Sequence, residues 1–304
     1  MSAMLEYTAK CSDSGKSVEK ILKREFGVSS KLMKELKLSG KIFLNGTVCR
    51  SVDIVSEEDR LCADISEEYD ATAVIVPKKA DFEVLFEDDC ILVINKPGGM
   101  ESHPSLGNNF STLANAVMYY WEEKGEYHNY HIANRLDKDT SGLCVVAKNR
   151  YAHSRLAAQL AEKSFKRKYT AIVHGTFCHS EGTIELPIAR DCESIIKRRV
   201  DPVCGKYAKT AYCAHEIGTS GCSIADIELM TGRTHQIRVH FSHINHSLVG
   251  DWLYGNGDNE RELIGRQALH AGYMEFTHPV TCERMSFSAD MPEDMKRLID
   301  LLKM

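Results

Sequence analysis

The stretch His131–Asn149, HIANRLDKDTSGLCVVAKN, decides how this chain reads. It sets Arg135, Asp137, Lys138 and Asp139 within five residues, then turns through Thr140-Ser141-Gly142 into an apolar run. A carboxylate at a strand entrance, fixed by a tight turn, is where a sheet presents a side chain to a cleft. Arg135 can grip an anionic oxygen beside it. Spacing alone leaves a second reading open: a charged surface turn, with Asp139 capping and Lys138 solvated.

Outward from this point the chain alternates short elements. On the C-terminal side, LCVVAKN and KYTAIVHG read as strands flanking a helix in RYAHSRLAAQLAEKSF. CSIADIELM is a further strand, THQIRVHFSHIN a helix, ALHAGYMEFTHP and RMSFSAD strands, and PEDMKRLIDLLKM a closing amphipathic helix. On the N-terminal side, FEVLFEDDCILVINKPGG gives two strands across an acidic turn, and STLANAVMYYWEEK a helix capped by Ser111. Residues 66–82 turn polar and carry Pro77, which suits a linker. Before them, two helices fall within residues 14–38, with Ser14 as the first cap and Ser29 or Ser30 as the second. KIFLNGTVCR then reads as a hairpin about Asn45-Gly46, and DIVSEEDRLCADI as another strand pair. The expected class is α+β, with a mixed, mainly antiparallel sheet and flanking helices. The expected division is a small α/β module over residues 1–75 and a larger domain over 76–304.

Composition narrows the function classes. A chain of 304 residues with 43% hydrophobic content can bury a sizeable core. A net charge of −5 gives no global basic signal, so any nucleic-acid contact has to come from local patches. No window of roughly 20 apolar residues suggests a membrane span, and the first residues lack the apolar core of a signal peptide. A soluble cytoplasmic protein is expected. The 11 cysteines form no C-x-x-C pair and read as free thiols.

Three other stretches carry chemistry. LMTGRTHQIRVHFSHINH brings Arg233 and Arg238 around His235 and Gln236, and two guanidinium forks near a helix start suit anionic oxygens. A metal reading of His235, His240, His243 and His246 is weak, because His235 and His240 diverge on a helix and no H-E-x-x-H pattern appears. KSFKRKYTAIVHG runs Lys163, Lys166, Arg167 and Lys168 into Tyr169, which suits phosphates beside a stacking ring. A lysine-rich edge that discourages aggregation is the alternative. Lys197–Arg199 adds a basic patch on an expected loop. VINKPGGMESHP contains a turn that lets backbone approach a substrate.

Taken together, these stretches resemble the RluA-type pseudouridine synthases. NRLDKDTSGLCVVAK is similar to the catalytic motif, VINKPGGMESHP to the segment before it, KYTAIVHG to the tyrosine motif, and LMTGRTHQIRVH with GDWLYG and LHA to the third motif and its sequel. They occur in the family's order from about Phe82 to Pro279. The N-terminal module resembles the S-four type RNA-binding domain, chiefly through SSKLMKELKLSGKIFLNG, where Lys31 stands at a position often held by arginine. Asn134 departs from the family, many of whose members have histidine there.

The resemblance implies isomerisation of uridine to pseudouridine within RNA, with no cofactor and no metal. It makes Asp137 the essential carboxylate, as attacker of the ribose or as the base that removes a proton from it. Tyr169 would lie against the flipped uracil, and Arg238 would pair with Asp137. Arg135 would take the place of the flipped base. Arg233, Lys166, Arg167, Lys168, Lys31 and Lys34 are the expected RNA contacts. Large-subunit ribosomal RNA is the expected partner ahead of transfer RNA, with the protein a monomer. Two other readings remain: an inert RNA binder on a synthase-like body, and a glycoside hydrolase using Asp137 and Asp139.

Overall fold

The structure is a computed structural model and describes residues 3–67, 69, 75–105 and 110–304. An antiparallel sheet of order β1-β4-β2-β3 opens the chain, built from β1 (Met4–Thr8), β2 (Ile42–Leu44), β3 (Thr47–Val48) and β4 (Arg60–Asp64). Against it lie α1 (Val18–Phe26) and α2 (Ser30–Leu38). Ser17, not Ser14, caps α1, accepting from the Lys20 amide at 3.4 Å, while the Ser14 hydroxyl accepts from the Glu57 amide. Ser29 caps α2. The Asn45-Gly46 turn has φ of 51° and 79°, the left-handed pair a two-residue hairpin needs, and it joins β2 to β3. The second expected strand pair is half formed: only β4 is a strand, and Ile54 makes an isolated bridge with Ser17.

The larger part is a ten-stranded mixed sheet. Its strands are β5 (Glu83–Glu87), β6 (Ile91–Lys96), β7 (His131–Ile132), β8 (Ser141–Ala147), β9 (Lys166–His174), β10 (Glu181–Glu185), β13 (Lys209–Glu216), β14 (Cys222–Leu229), β15 (Leu269–Thr277) and β16 (Arg284–Ser288). The order β10-β13-β14-β9-β15-β8-β6-β5 is antiparallel except where β15 runs parallel to β8. A two-stranded ribbon, β11 (Ile188–Arg190) with β12 (Arg198–Val200), stands apart, so part of the expected basic loop is a strand. Helices α3 (Leu113–Glu123), α4 (Arg150–Glu162), α5 (Gln236–His243) and α6 (Glu293–Lys303) complete the chain, and Thr112 rather than Ser111 caps α3.

Strands β6 and β8 read as unbroken apolar runs because both faces are covered. Ile91, Val93, Val145 and Ala147 pack with α4 and with the core of the N-terminal unit, including Leu22 and Met33. Leu92, Ile94, Cys144 and Val146 pack with α3 and α5 on the other face. The Tyr151 hydroxyl donates to the Phe26 carbonyl at 2.9 Å, and Arg150 pairs with Glu67 at 2.8 Å, tying the N-terminal unit to α4. The expected linker lies partly outside the described residues; residues 75–82 form no helix or strand. Among the described residues no helix is long and apolar enough to cross a membrane.

Candidate active site

Asp137 sits in the turn that feeds β8, where the Thr140 amide donates to its carbonyl at 3.1 Å. Cations hold the next two carbonyls. Lys96, fully buried at the end of β6, donates to the carbonyls of Lys138 (3.0 Å), Pro97 and Met100 (both 2.8 Å). Burial pulls its pKa down to about 8. Arg266 donates to the Asp139 carbonyl at 2.9 Å and is clamped by Asp294 at 2.6 and 2.9 Å. On the other side, the Ser102 hydroxyl bridges the carbonyl and amide of Leu136. Asn134 is buried, its amide donating to the Leu143 carbonyl and accepting from the Val145 amide. The departure from histidine is thus used to fasten the turn to β8.

The turn reaches its position because β8 crosses close to β15. A Cβ on Gly142 would lie 2.3 Å from the Ala271 carbonyl oxygen, and Gly142 has φ +113°. Only glycine suits both demands. The turn itself is at Lys138-Asp139, and Ser141 and Gly142 already belong to β8 rather than to the expected Thr140-Ser141-Gly142 turn, paired there with His270 and Ala271 of β15.

Asp137 faces a cleft of about 1020 Å³ that also takes in Arg135, Arg167, Tyr169, Arg198, Arg233, His235 and Arg238. The Asp137 side chain is 25% exposed, and its Oδ2 lies 3.3 Å from Arg238 Nη1. Arg238, from the first turn of α5, is held on its other side by fully buried Asp251, Nε to Oδ2 at 2.7 Å and Nη2 to Oδ1 at 2.9 Å. Burial works against the guanidinium charge, but Asp251 and then Asp137 outweigh it and hold its pKa above the ordinary arginine value. The Tyr254 ring lies under the guanidinium at 5.1 Å. Asp251 and Tyr254 come from the GDWLYG stretch, and the sequence reading did not single them out as site residues.

Tyr169 on β9 is buried in the cleft wall, its phenol raised above the usual value by burial, and its hydroxyl bonds no described residue. Strand alternation brings Arg167 into the cleft with it and sends Lys166 and Lys168 to the opposite face. There Lys166 lies 3.9 Å from Glu275, and Lys168 lies 5.5 Å from the centre of the Tyr273 ring. Arg135 is exposed and pairs with no described residue. Arg233 lines the cleft with its Nε on the Tyr207 carbonyl. Lys31 and Lys34 are exposed on α2, far along the chain from the cleft.

The histidines of the third motif do not converge. His240 is fully buried between Thr210 and the Leu186 carbonyl, and His246 stacks on Phe177. Asp139 does not line the cleft, so Asp137 has no facing carboxylate from that side. Elsewhere, Asp88, Cys90 and His278 place candidate ligand atoms within 4.8 Å of one another. His278 Nδ1 accepts from the amides of Thr281 and Val280, which leaves its proton on Nε2, towards Asp88 at 2.9 Å. Asp88 in turn accepts from the amides of Cys90 and Ile91, so the group reads as a turn anchor.

The comparisons agree with this geometry. Residues 90–243 match the family model described as RNA pseudouridylate synthase. An uncharacterized RNA pseudouridine synthase of Bacillus subtilis is 39% identical over 279 residues, covering 90% of this chain and 95% of the relative. Ribosomal large subunit pseudouridine synthase D of Pseudomonas aeruginosa is 39% identical over 277 residues, covering 87% and 84%. The same-named protein of Zymomonas mobilis is 40% identical over 238 residues, covering 74% of each. The solved structure of human RNA pseudouridylate synthase domain containing 1 superposes with a TM-score of 0.57 at 23% identity, over 77% of this chain and 97% of that one, a likeness of fold. An arginine-paired carboxylate at the mouth of β8, a buried tyrosine beside it and near-full-length relatives lead to one assignment: the chain belongs to the RNA pseudouridylate synthase family.

Proposed function

We propose that this protein isomerises uridine to pseudouridine in large-subunit ribosomal RNA, with Asp137 as the reacting carboxylate. The observation that carries the reading is the single cleft shared by Asp137, Arg238 and Tyr169, with Asp137 reachable and braced through Arg238 by a buried second carboxylate. The choice of RNA is supported by relatives named ribosomal large subunit pseudouridine synthase D.

In the reaction the bond from ribose C1′ to uracil N1 breaks and one from C1′ to C5 forms. The C5 proton leaves and N1 takes one up, so nothing is oxidised and no group is donated. The uridine must leave its stack to reach the cleft, at a cost of about a few kcal/mol. Arg135, exposed beside Asp137, is suited to the vacated position. Tyr169 offers a face to the uracil, and Arg167, Arg198 and Arg233 offer charge to the backbone phosphates. Burial keeps the Tyr169 phenol protonated near neutrality, which favours a packing and hydrogen-bonding role before substrate arrives. The N-terminal unit, residues 1–75, would act as an S-four-like RNA-docking domain with Lys31 and Lys34 on its exposed helix face. The protein would work as a monomer in the cytoplasm, beside its RNA.

The test is pseudouridine mapping with nucleoside mass spectrometry on ribosomal and transfer RNA. It compares cells lacking the protein with cells given back the wild type or Asp137→Asn. Loss of one ribosomal site, restored by wild type and not by the variant, is expected. A lost site in transfer RNA would overturn the ribosomal assignment, and rescue by Asp137→Asn would overturn the role of Asp137.

A further inference from the structure

The Tyr254 hydroxyl has one proton to give. The backbone amide of Arg198, on β12, donates to its oxygen at 2.8 Å, so the hydroxyl proton has to find another acceptor. His235 Nδ1 lies 2.8 Å away, and no other described residue bonds this hydroxyl. Nδ1 therefore accepts. A neutral imidazole whose Nδ1 accepts carries its proton on Nε2. That nitrogen faces Asp137 Oδ2 at 4.0 Å, the same oxygen that Arg238 Nη1 addresses at 3.3 Å.

The charges around His235 favour the neutral ring. Burial lowers its pKa from the ordinary value, Asp137 opposes that, Arg238 and Arg198 add to it, and Asp251 opposes it weakly from behind. Burial also pushes the Tyr254 phenol up to about 12, which keeps the relay proton in place. The backbone at His235 is left-handed, φ 57° and ψ 22°, at the N-cap of α5, so the ring enters the cleft from a fixed base.

We infer that His235 is a positioning residue: the Arg198–Tyr254–His235 relay fixes its proton on Nε2, and that proton joins Arg238 on Oδ2 of Asp137, leaving Oδ1 for the substrate. The inference rests on Asp137 being the reacting carboxylate. Oδ1 bonds no described residue. The gap at Oδ2 needs to close by about 1 Å to reach hydrogen-bond length, a tightening common when a catalytic site fills.

The experiment pairs His235→Asn with His235→Gln and adds nitrogen NMR on the histidine-labelled wild type. Asparagine tolerates the left-handed backbone but its amide stops short of the Nε2 position. Glutamine carries an amide donor to about where Nε2 sits. Single-turnover rates on target RNA are expected to fall about 10²-fold in His235→Asn with RNA affinity unchanged, and to recover at least tenfold in His235→Gln. The His235 resonance, identified by its loss in His235→Gln, is expected to show the Nε2-protonated ring, and mixed protonation in Tyr254→Phe. Equal rates in the two His235 variants, or an Nδ1-protonated ring in the wild type, would overturn the inference. Turnover by Asp137→Asn would overturn the underlying site reading instead, and the NMR result stands apart from turnover in either case.

Discussion

Arg238 and Asp251 form a two-pronged ion pair in which the carboxylate is fully buried, at 2.7 and 2.9 Å. Asp251 also accepts from the amides of Leu253 and Tyr254, so both its oxygens are committed. The pair fixes the plane of the guanidinium, and only Nη1 is left to meet Asp137. Removing one partner strands a buried charge.

Asp251→Ala is therefore expected to cost about 3–5 kcal/mol of folding stability, read by urea unfolding, and to abolish turnover even where the protein folds. Asp251→Asn keeps the shape but turns an amide donor towards a guanidinium donor, so it should lose activity with a smaller loss of stability. A fully active Asp251→Asn would mean that Asp137 needs no oriented arginine.

Lys96 makes a pH-dependent contribution with a definite sign. Its pKa is about 8 in the folded chain and 10.5 when free. Below the lower value both states hold the proton, and the folded state carries the full cost of the buried charge. Between the two values the unfolded chain binds more protons, so this residue's contribution to stability rises with pH. From about pH 8 to about pH 9.5 the stability of wild type relative to Lys96→Met should rise by roughly 1.5 to 2 kcal/mol. Urea unfolding of both proteins at the two values checks this. A constant difference would mean an ordinary amine at this position.

Gly142 tests the crossing of β8 and β15. A methyl group there meets Ala271 backbone atoms at 2.3 and 2.6 Å, and the left-handed φ adds to the conflict. Gly142→Ala is expected to destabilise by about 3 kcal/mol or more and to displace the Asp137 turn. Unfolding free energy and turnover should fall together. Wild-type stability in this variant would mean that the two strands separate easily.

The parts of the site that could be read from sequence are those with local signatures. Asp137 precedes a Thr-Ser-Gly stretch, Tyr169 opens an apolar strand, and Arg238 follows a glycine turn at a helix start. Asp251 and Lys96 have no such signature. Each is a single charge whose burial depends on at least one partner more than ten residues away, Arg238 for Asp251 and the Lys138 carbonyl for Lys96, and periodicity says nothing about which isolated charge will be buried. Asp251 stood in a stretch recognised only as a sequel, and Lys96 in a turn read for its glycines. The helix caps moved by one to three residues, to Ser17 and Thr112, because in each case a second capping residue stands within three positions of the first. The first strand of the expected second pair is absent, because Ile54 makes only one bridge, and β1, which the sequence reading left unassigned, pairs with β4 instead.

The basic run at β9 shows how strand alternation redistributes charge that looks clustered in sequence. Arg167 shares the cleft face with Tyr169, and one buried guanidinium nitrogen, Nε, bonds no described group. Lys166 and Lys168 face Glu275 and Tyr273 on the other side. Phosphate contacts contribute to the salt dependence of binding roughly one unit each. Arg167→Glu should therefore weaken RNA binding and lower the slope of log K against log salt by about 1. Lys166→Glu and Lys168→Glu should leave the slope unchanged. Titration of the target RNA at several salt concentrations separates the cases. An equal loss for all three would mean that the RNA wraps past the cleft onto the far face of β9, and an effect confined to the lysines would remove Arg167 from the footprint.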